Sequence, residues 1–166
     1  MTPKSEAARD AERILEDLWG RSPTELLPVD PVRIARRLGI EVLDARLDPD
    51  VSGALVKELG QDPTIVLNWQ DSSNRKRFSC AHEIGHFVKR SDQLDDYEYV
   101  DRRDAFSTTG QVPEEVYANT FAACLLMPEQ DVRRFHGKSF SEVAMGIRFD
   151  VSREAMHYRL KNLGLY

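Results

Sequence analysis

The chain of 166 residues is poor in cysteine and has no long apolar run. Two cysteines cannot build the disulfide framework of a small secreted protein, so both thiols are expected to be reduced. The longest apolar run, residues 121–127, is far too short to span a bilayer. The first residues lead into a charged helix without an apolar signal segment. These absences argue against a secreted scaffold and a membrane protein, and they predict a cytoplasmic location.

An excess of positive charge is also lacking, because the formal net charge is −5. No general electrostatic field would therefore draw the protein to nucleic acid or to an anionic membrane. The hydrophobic fraction of 41% and the length are those of an ordinary soluble protein. They predict one domain with a real core, with room for a small appendage.

Histidine is scarce as well, with four in the chain, yet two of them fall in the motif His82-Glu83-x-x-His86. Residues four apart lie on the same side of a helix, about one turn from each other. Two imidazoles so placed can occupy two corners of a tetrahedral zinc site. Glu83 would lie beside the metal without binding it, where a carboxylate can take a proton from water. The motif therefore predicts a catalytic zinc site.

The residues around this motif favour a helix. Asp71, Ser72 and Ser73 offer N-cap oxygens, and the apolar residues that follow are spaced as on one helix face. Gly85 lies between the two histidines, which predicts that another element approaches the helix closely there. The alternative is that both histidines lie on the polar edge of a helix packed on the core.

Further elements are predicted from periodicity and from breaking residues. An amphipathic helix is expected over residues 5–19 and a short helix over 32–38. A strand over 40–47 and a hairpin of 52–59 with 64–67 should precede the helix that carries His82 and His86. Residues 89–113 are polar and poorly periodic, and we predict a surface loop that also forms part of a substrate wall.

Pro113 predicts the start of another helix, which Pro128 ends. A catalytic zinc needs a third protein ligand, and the candidates are His136, His157 and the neighbouring Glu114 and Glu115. Glu115 is favoured, because it shares a helix face with Asn119 and opposes the apolar stripe. Asn119, one turn further on, is predicted to hold one of the metal-binding histidines by a hydrogen bond.

The residues from Arg77 to Phe87, RFSCAHEIGHF, followed by EVYANTFAACLLMP from Glu115 to Pro128, resemble the ImmA/IrrE family of zinc metallopeptidases. The resemblance covers most of the chain from about Pro31. It implies an α+β fold with a thermolysin-like (zincin) core, in which a small antiparallel sheet accompanies the HExxH helix and a glutamate-bearing helix. It also implies that His82, His86 and Glu115 hold zinc and that Glu83 is the general base. Cys80 departs from the small or apolar residue expected at its position.

The segment 138–166 resembles a helix-turn-helix, with Ser152 capping a second helix that carries Arg153, Arg159 and Lys161. We predict a metallopeptidase domain over residues 1–137 with an N-terminal helix, and a C-terminal segment over 138–166 that packs on it or docks the substrate. Contact of this segment with DNA is the less favoured alternative. Peptide hydrolysis also needs a donor for the tetrahedral oxygen, and nothing in the sequence chooses among the candidates Tyr97, Tyr99, Tyr117, His157 and Tyr158.

The sequence therefore predicts a cytoplasmic zinc endopeptidase. Members of the family that it resembles cleave helix-turn-helix transcriptional repressors, which releases phage, mobile-element or DNA-damage genes, so the expected partner is such a repressor. The alternatives are a DNA-binding or protein-binding regulatory module with a structural or vestigial zinc, and a component of a toxin–antitoxin pair.

Overall fold

The structure is a computed structural model that describes residues 1–20, 26–91, 99–104 and 112–166, with the backbone alone for residues 99 and 101–104. The helices are α1 (Pro3–Ile14), continued by a π-helical segment (Leu15–Trp19), α2 (Pro31–Arg37), α3 (Ser73–Arg90), α4 (Pro113–Leu126), α5 (Glu129–Gly137), α6 (Glu142–Phe149) and α7 (Arg153–Asn162). The strands are β1 (Glu41–Ala45), β2 (Val51–Lys57), β3 (Thr64–Asn68) and β4 (Tyr99–Asp104). The predicted α+β class is confirmed.

The four described strands form one sheet in the order β1-β3-β2-β4. β2 forms the predicted hairpin with β3, in which Leu55 lies opposite Ile65. β1 does not complete an antiparallel sheet as expected, because it runs parallel to β3 with Val42 opposite Ile65. The reason is topological. The chain passes from β1 to β2, and β3 then returns between them, so that β1 and β3 point the same way.

The segment after the HExxH motif departs most from its prediction. α3 continues to Arg90, and Tyr99–Asp104 forms strand β4 instead of belonging to a loop. β4 pairs antiparallel with β2 at the edge of the sheet. Its sequence, YVDRRD, lacks the apolar alternation that predicts a half-buried strand. The strand forms because its backbone groups pair with those of β2, and the sequence pattern does not show that pairing.

Helix α3 packs against β2 and β3, and α4 packs against α3. The contact side of the sheet carries Leu55, Ile65 and Leu67, all buried in one apolar cluster with Ile84 of α3. Helix α1 covers α4 and begins with a capping box between Thr2 and Ser5. α4 is therefore held between α3 on one side and the N-terminal helix α1 on the other.

The C-terminal helices are tied to α3 and α4 by two arginines. Arg77 of α3 donates to the carbonyl oxygens of Val29 (2.7 Å) and Asp150 (3.1 Å), and Asp150 lies in the turn between α6 and α7. Arg159 of α7 is buried and donates to the carbonyl oxygen of Met127 at 3.0 Å. Arg159 therefore does not lie on the outer face of α7, which removes one of the three basic side chains that favoured a DNA-recognition helix.

The described helices include none with the length and apolar character needed to cross a bilayer.

Candidate metal centre

Helix α3 presents two buried histidines at one place. Ser72 caps the helix by accepting from the backbone N–H of Arg75, and the helix runs unbroken through the motif. The side chains of His82 and His86 leave the same face one turn apart, with their rings 4.8 Å apart. Their Nε2 atoms lie 3.1 Å from each other. Two imidazole nitrogens that point at one spot are suited to binding a cation.

Glu115 reaches the same spot from helix α4. Its Oε1 lies 3.0 Å from His86 Nε2, and its Oε2 lies 3.4 Å from His82 Nε2. Among the described residues, His82, His86 and Glu115 form the cluster able to hold a metal ion, with all ligand atoms within 4.8 Å of one another. The side chain of Glu115 is 21% exposed, so the cluster lies near the surface on that side.

Gly85 makes this approach of α4 possible. A Cβ atom at position 85 would lie 3.2 Å from the Cα of Ala118 and 3.2 Å from the Cβ of Phe121. Such distances are tighter than ordinary van der Waals contacts, and Ala118 would meet the new atom with its backbone. The close approach predicted from a glycine between the two histidines is present.

Asn119 orients the first histidine. Its Oδ1 lies 3.0 Å from Nδ1 of His82. A carboxamide oxygen only accepts hydrogen bonds, so Nδ1 of His82 carries the proton and Nε2 is left with its lone pair. This is the tautomer that a histidine needs in order to bind a metal through Nε2.

The donor set and its spacing fit zinc. Two imidazole nitrogens and one carboxylate oxygen are the protein ligands of His₂Glu zinc peptidases. With bonds of about 2.0–2.2 Å, a tetrahedral ion holds its ligand atoms about 3.3–3.6 Å apart. The observed separations of 3.0–3.4 Å lie at or just below that range. The site needs little rearrangement to accept the ion.

Glu83 is fully buried next to this cluster, on the side of the sheet. It packs against Gly53 of β2, where an added Cβ would lie 3.6 Å from Oε1 of Glu83 and 3.5 Å from the Cβ of Ser79. Gly53 was not recognised from the sequence, although a glycine inside a strand commonly marks the close approach of another group. The strand thereby leaves room for a carboxylate under the middle of the sheet.

The described candidates for stabilising a tetrahedral oxygen, Tyr117, His157 and Tyr158, are paired elsewhere or lie at the surface. The hydroxyl of Tyr117 is buried and donates to Oδ2 of Asp10 at 2.8 Å, so its hydrogen is already used. His157 lies on α7 beside Glu142, with Nδ1 3.1 Å from Oε2, and Tyr158 is exposed on the same helix. Tyr97 and the side chain of Tyr99 lie outside the described residues.

The other residues considered as a third ligand lie elsewhere. His136 is exposed near the end of α5, and Glu114 is exposed in the first turn of α4.

Cys80, two residues before His82, is buried. Burial, with the nearby carboxylates of Asp30 and Glu83, raises the pKa of its thiol to about 12. A thiol that stays neutral at physiological pH is a poor nucleophile.

The chain is similar to known proteins in sequence and in fold. Residues 35–161 match the profile of the Peptidase_M78 family, described as the IrrE N-terminal-like domain. "Uncharacterized immunity region protein 2" of Bacillus phage phi105 is 26% identical over 130 residues, which make up 78% of each chain. A Mycobacterium tuberculosis transcriptional regulator has a similar fold, with a TM-score of 0.65 and 20% identity. The match covers 95% of this chain but only 46% of the regulator, so the chain spans about half of its length.

The resemblance to ImmA/IrrE proteins is thereby confirmed, since the family profile covers well over half of the residues. The residues brought together by α3 and α4 lie inside the matched segment. The chain belongs to the IrrE N-terminal-like (Peptidase_M78) family of metallopeptidases.

Proposed function

We propose that the protein is a zinc-dependent endopeptidase in the cytoplasm that hydrolyses a peptide bond in a helix-turn-helix transcriptional repressor. The observation that carries the proposal is the convergence of His82 Nε2, His86 Nε2 and the Glu115 carboxylate on one point, next to the buried Glu83. Membership in a metallopeptidase family supports the same activity.

Each side chain has a distinct part in this proposal. When bound, zinc supplies Lewis-acid chemistry, which polarises a carbonyl group and makes water more acidic. His82, His86 and Glu115 hold the ion, and Asn119 keeps His82 in the correct tautomer. The carboxylate of Glu83 accepts a proton from the attacking water and then gives it to the leaving amine. The burial of Glu83 favours this exchange, because few water molecules compete for the carboxylate.

The proposed substrate follows from the family and from the printed names of the relatives. ImmA/IrrE proteins, which this chain resembles, act on helix-turn-helix repressors, and cleavage releases phage, mobile-element or stress-response genes. The phage relative is named for an immunity region and the structural neighbour for transcriptional regulation. Both names are consistent with a function in gene control.

Metal content tests the ligand set. The wild-type protein is expected to bind about one zinc ion per chain, and His82→Ala and Glu115→Ala are expected to lose it. His136→Ala is the matched control, because this histidine is exposed on α5 and should not affect binding. Full zinc content without Glu115 would mean that another residue is the third ligand, and a wild type that takes up no metal would overturn the peptidase proposal.

Cleavage of a helix-turn-helix repressor encoded beside the gene tests the chemistry. Glu83→Gln is expected to keep zinc, since Glu83 is not a ligand, and to lose cleavage by at least 100-fold, as removal of a general base typically does. Glu114→Gln, an exposed change of the same type on α4, serves as control. Cleavage by Glu83→Gln at the wild-type rate would refute the assigned function of this carboxylate.

A regulatory DNA-binding module is the second candidate. The pair α6 and α7 favours it, joined by a turn at Asp150 and with Arg153 exposed on the second helix. The proper test is salt-dependent binding to duplex DNA that Arg153→Ala weakens. Arg159→Ala is unsuitable, because its side chain is buried and holds Met127.

A further inference from the structure

A cavity of about 800 Å³ lies apart from the metal centre. It is an open cavity bordered by α1, the π-helical segment, residues 26–29, the C-terminal end of α4, and helices α5 and α7. One wall is apolar and consists of Leu15, Trp19, Leu26, Leu27 and Val29. None of the described residues at the metal centre lines it. The volume is in the range of small-molecule sites, which is about 300–1,000 Å³.

Arg159 is the unusual residue of this cavity. It is only 8% exposed, yet no carboxylate in the described part of the chain forms an ion pair with it. Its Nε donates to the carbonyl oxygen of Met127 at 3.0 Å, and its Nη1 lies 3.4 Å from Sγ of Cys124. A guanidinium has five N–H donors, so three remain without a described acceptor. The guanidinium lines the cavity, so these donors are open to a ligand or to water there.

The other charged groups of the cavity are already paired or lie at its surface. Asp131 is bound by Arg134 at 2.6 Å, and Glu129 by Arg133 at 2.7 Å. The carboxylates on the α1 side belong to exposed helix positions, where water screens them. Arg159 is therefore the buried cation of this cavity that still lacks a negative partner among the described residues.

We propose that this cavity binds a small amphipathic carboxylate. The acid group pairs with the free N–H donors of Arg159, which form the planar fork that carboxylates prefer. The apolar part of the ligand packs on Leu15, Trp19 and Val29. The proposed binding site does not rest on the proposed peptidase activity.

The position of the cavity gives such a ligand a means of regulation. Arg159 holds the C-terminal end of α4 through Met127 and Cys124, and α4 carries Glu115 at its other end. Helix α1 packs on α4, and α7 holds the end of α4 through Arg159. A ligand bound to Arg159 that also contacts α1 therefore touches both of these helices. Binding is thus expected to stabilise the folded protein and to brace the glutamate-bearing helix.

The experiment uses tryptophan fluorescence and decanoate, a carboxylate with a ten-carbon chain, below its micellar concentration. Trp69 is 55% exposed and does not line the cavity, so Trp69→Phe leaves Trp19 in the cavity wall as the sole tryptophan. Decanoate should change Trp19 fluorescence saturably and bind at least tenfold more tightly than 1-decanol, which lacks the charge. Arg159→Gln should abolish this preference, whereas Arg153→Gln, an exposed arginine of the same helix, should keep it.

A second variant covers the case in which Arg159→Gln fails to fold. Ala8 is exposed on α1 and lines the cavity, so Ala8→Phe should reduce decanoate binding at least fivefold by filling space without disturbing the core. Three results would overturn the proposal: no saturable response, equal affinity for decanoate and decanol, or wild-type affinity in Ala8→Phe. None depends on cleavage, so the outcome is distinguishable from failure of the peptidase proposal.

Discussion

Replacement of Gly85 by alanine tests whether the contact between α3 and α4 sets the geometry of the candidate metal centre. The new Cβ would lie 3.2 Å from the Cα of Ala118 and from two atoms of Phe121. The Cα of Ala118 can yield only if the whole helix moves. Helix α4 is therefore expected to shift outward by a few tenths of an ångström, carrying Glu115 and Asn119 with it.

Two opposing effects determine the change in stability. Alanine inside a helix is favoured over glycine by about 1 kcal/mol. Overpacking of a well-filled contact costs about 1–3 kcal/mol. The net expectation is a loss of up to about 2 kcal/mol in the free energy of unfolding of the metal-free protein. A separation of the ligand atoms should also weaken zinc binding about tenfold, which corresponds to about 1.4 kcal/mol.

Urea unfolding of the metal-free protein and competition with a chromophoric chelator measure the two quantities. Gly137→Ala is the matched control, because Gly137 is the last residue of α5 and a Cβ there would meet no atom within 4 Å. This control should be at least as stable as the wild type and bind zinc normally. If Gly85→Ala behaves like Gly137→Ala in both assays, the reasoning from helix contact to metal site is refuted.

Three further outcomes are expected. Asn119→Ala should weaken zinc binding about 10–100-fold, since His82 loses the acceptor that fixes its tautomer; an unchanged chelator competition would contradict this. Burial and the hydrogen bond to Asp10 raise the pKa of Tyr117, so the unfolded chain loses this proton first above pH about 10. The free energy of unfolding should then fall with rising pH, by at most about 1.4 kcal/mol per pH unit from this group, and fall less steeply in Tyr117→Phe; equal slopes in urea unfolding would refute this. Removal of zinc by a chelator should lower the thermal unfolding midpoint of the wild type but not that of Glu115→Ala, and equal shifts would count against this ligand.

The helices were predictable to within a few residues because their signals are local. Ser72 and Pro113 mark the starts of α3 and α4, where an oxygen cap and a missing backbone N–H act within one turn. The position of His82 and His86 on one face of the helix follows from the helical repeat alone. Gly85 also gave a usable signal, since a glycine inside a helix normally needs a packing reason.

The errors concern pairing between distant segments. Strand β4 has a polar sequence and exists because β2 offers it backbone partners, and the direction of β1 follows from the insertion of β3. Tyr117 and Arg159 looked like groups available to a substrate or to DNA. In the folded chain the hydroxyl of Tyr117 donates to Asp10, and Arg159 is buried with its Nε bound to Met127.

The sequence by itself determined the helix that carries His82, Glu83 and His86, because the spacing of a motif and the pitch of a helix are properties of a short segment. It also favoured Glu115 as the partner of this helix. Only the tertiary structure decided that α4 lies close enough to bring Glu115 within 3.0 Å of His86, and that Arg159 closes a cavity on the far end of the same helix. Both depend on packing between residues remote in the chain, and no local preference encodes that packing.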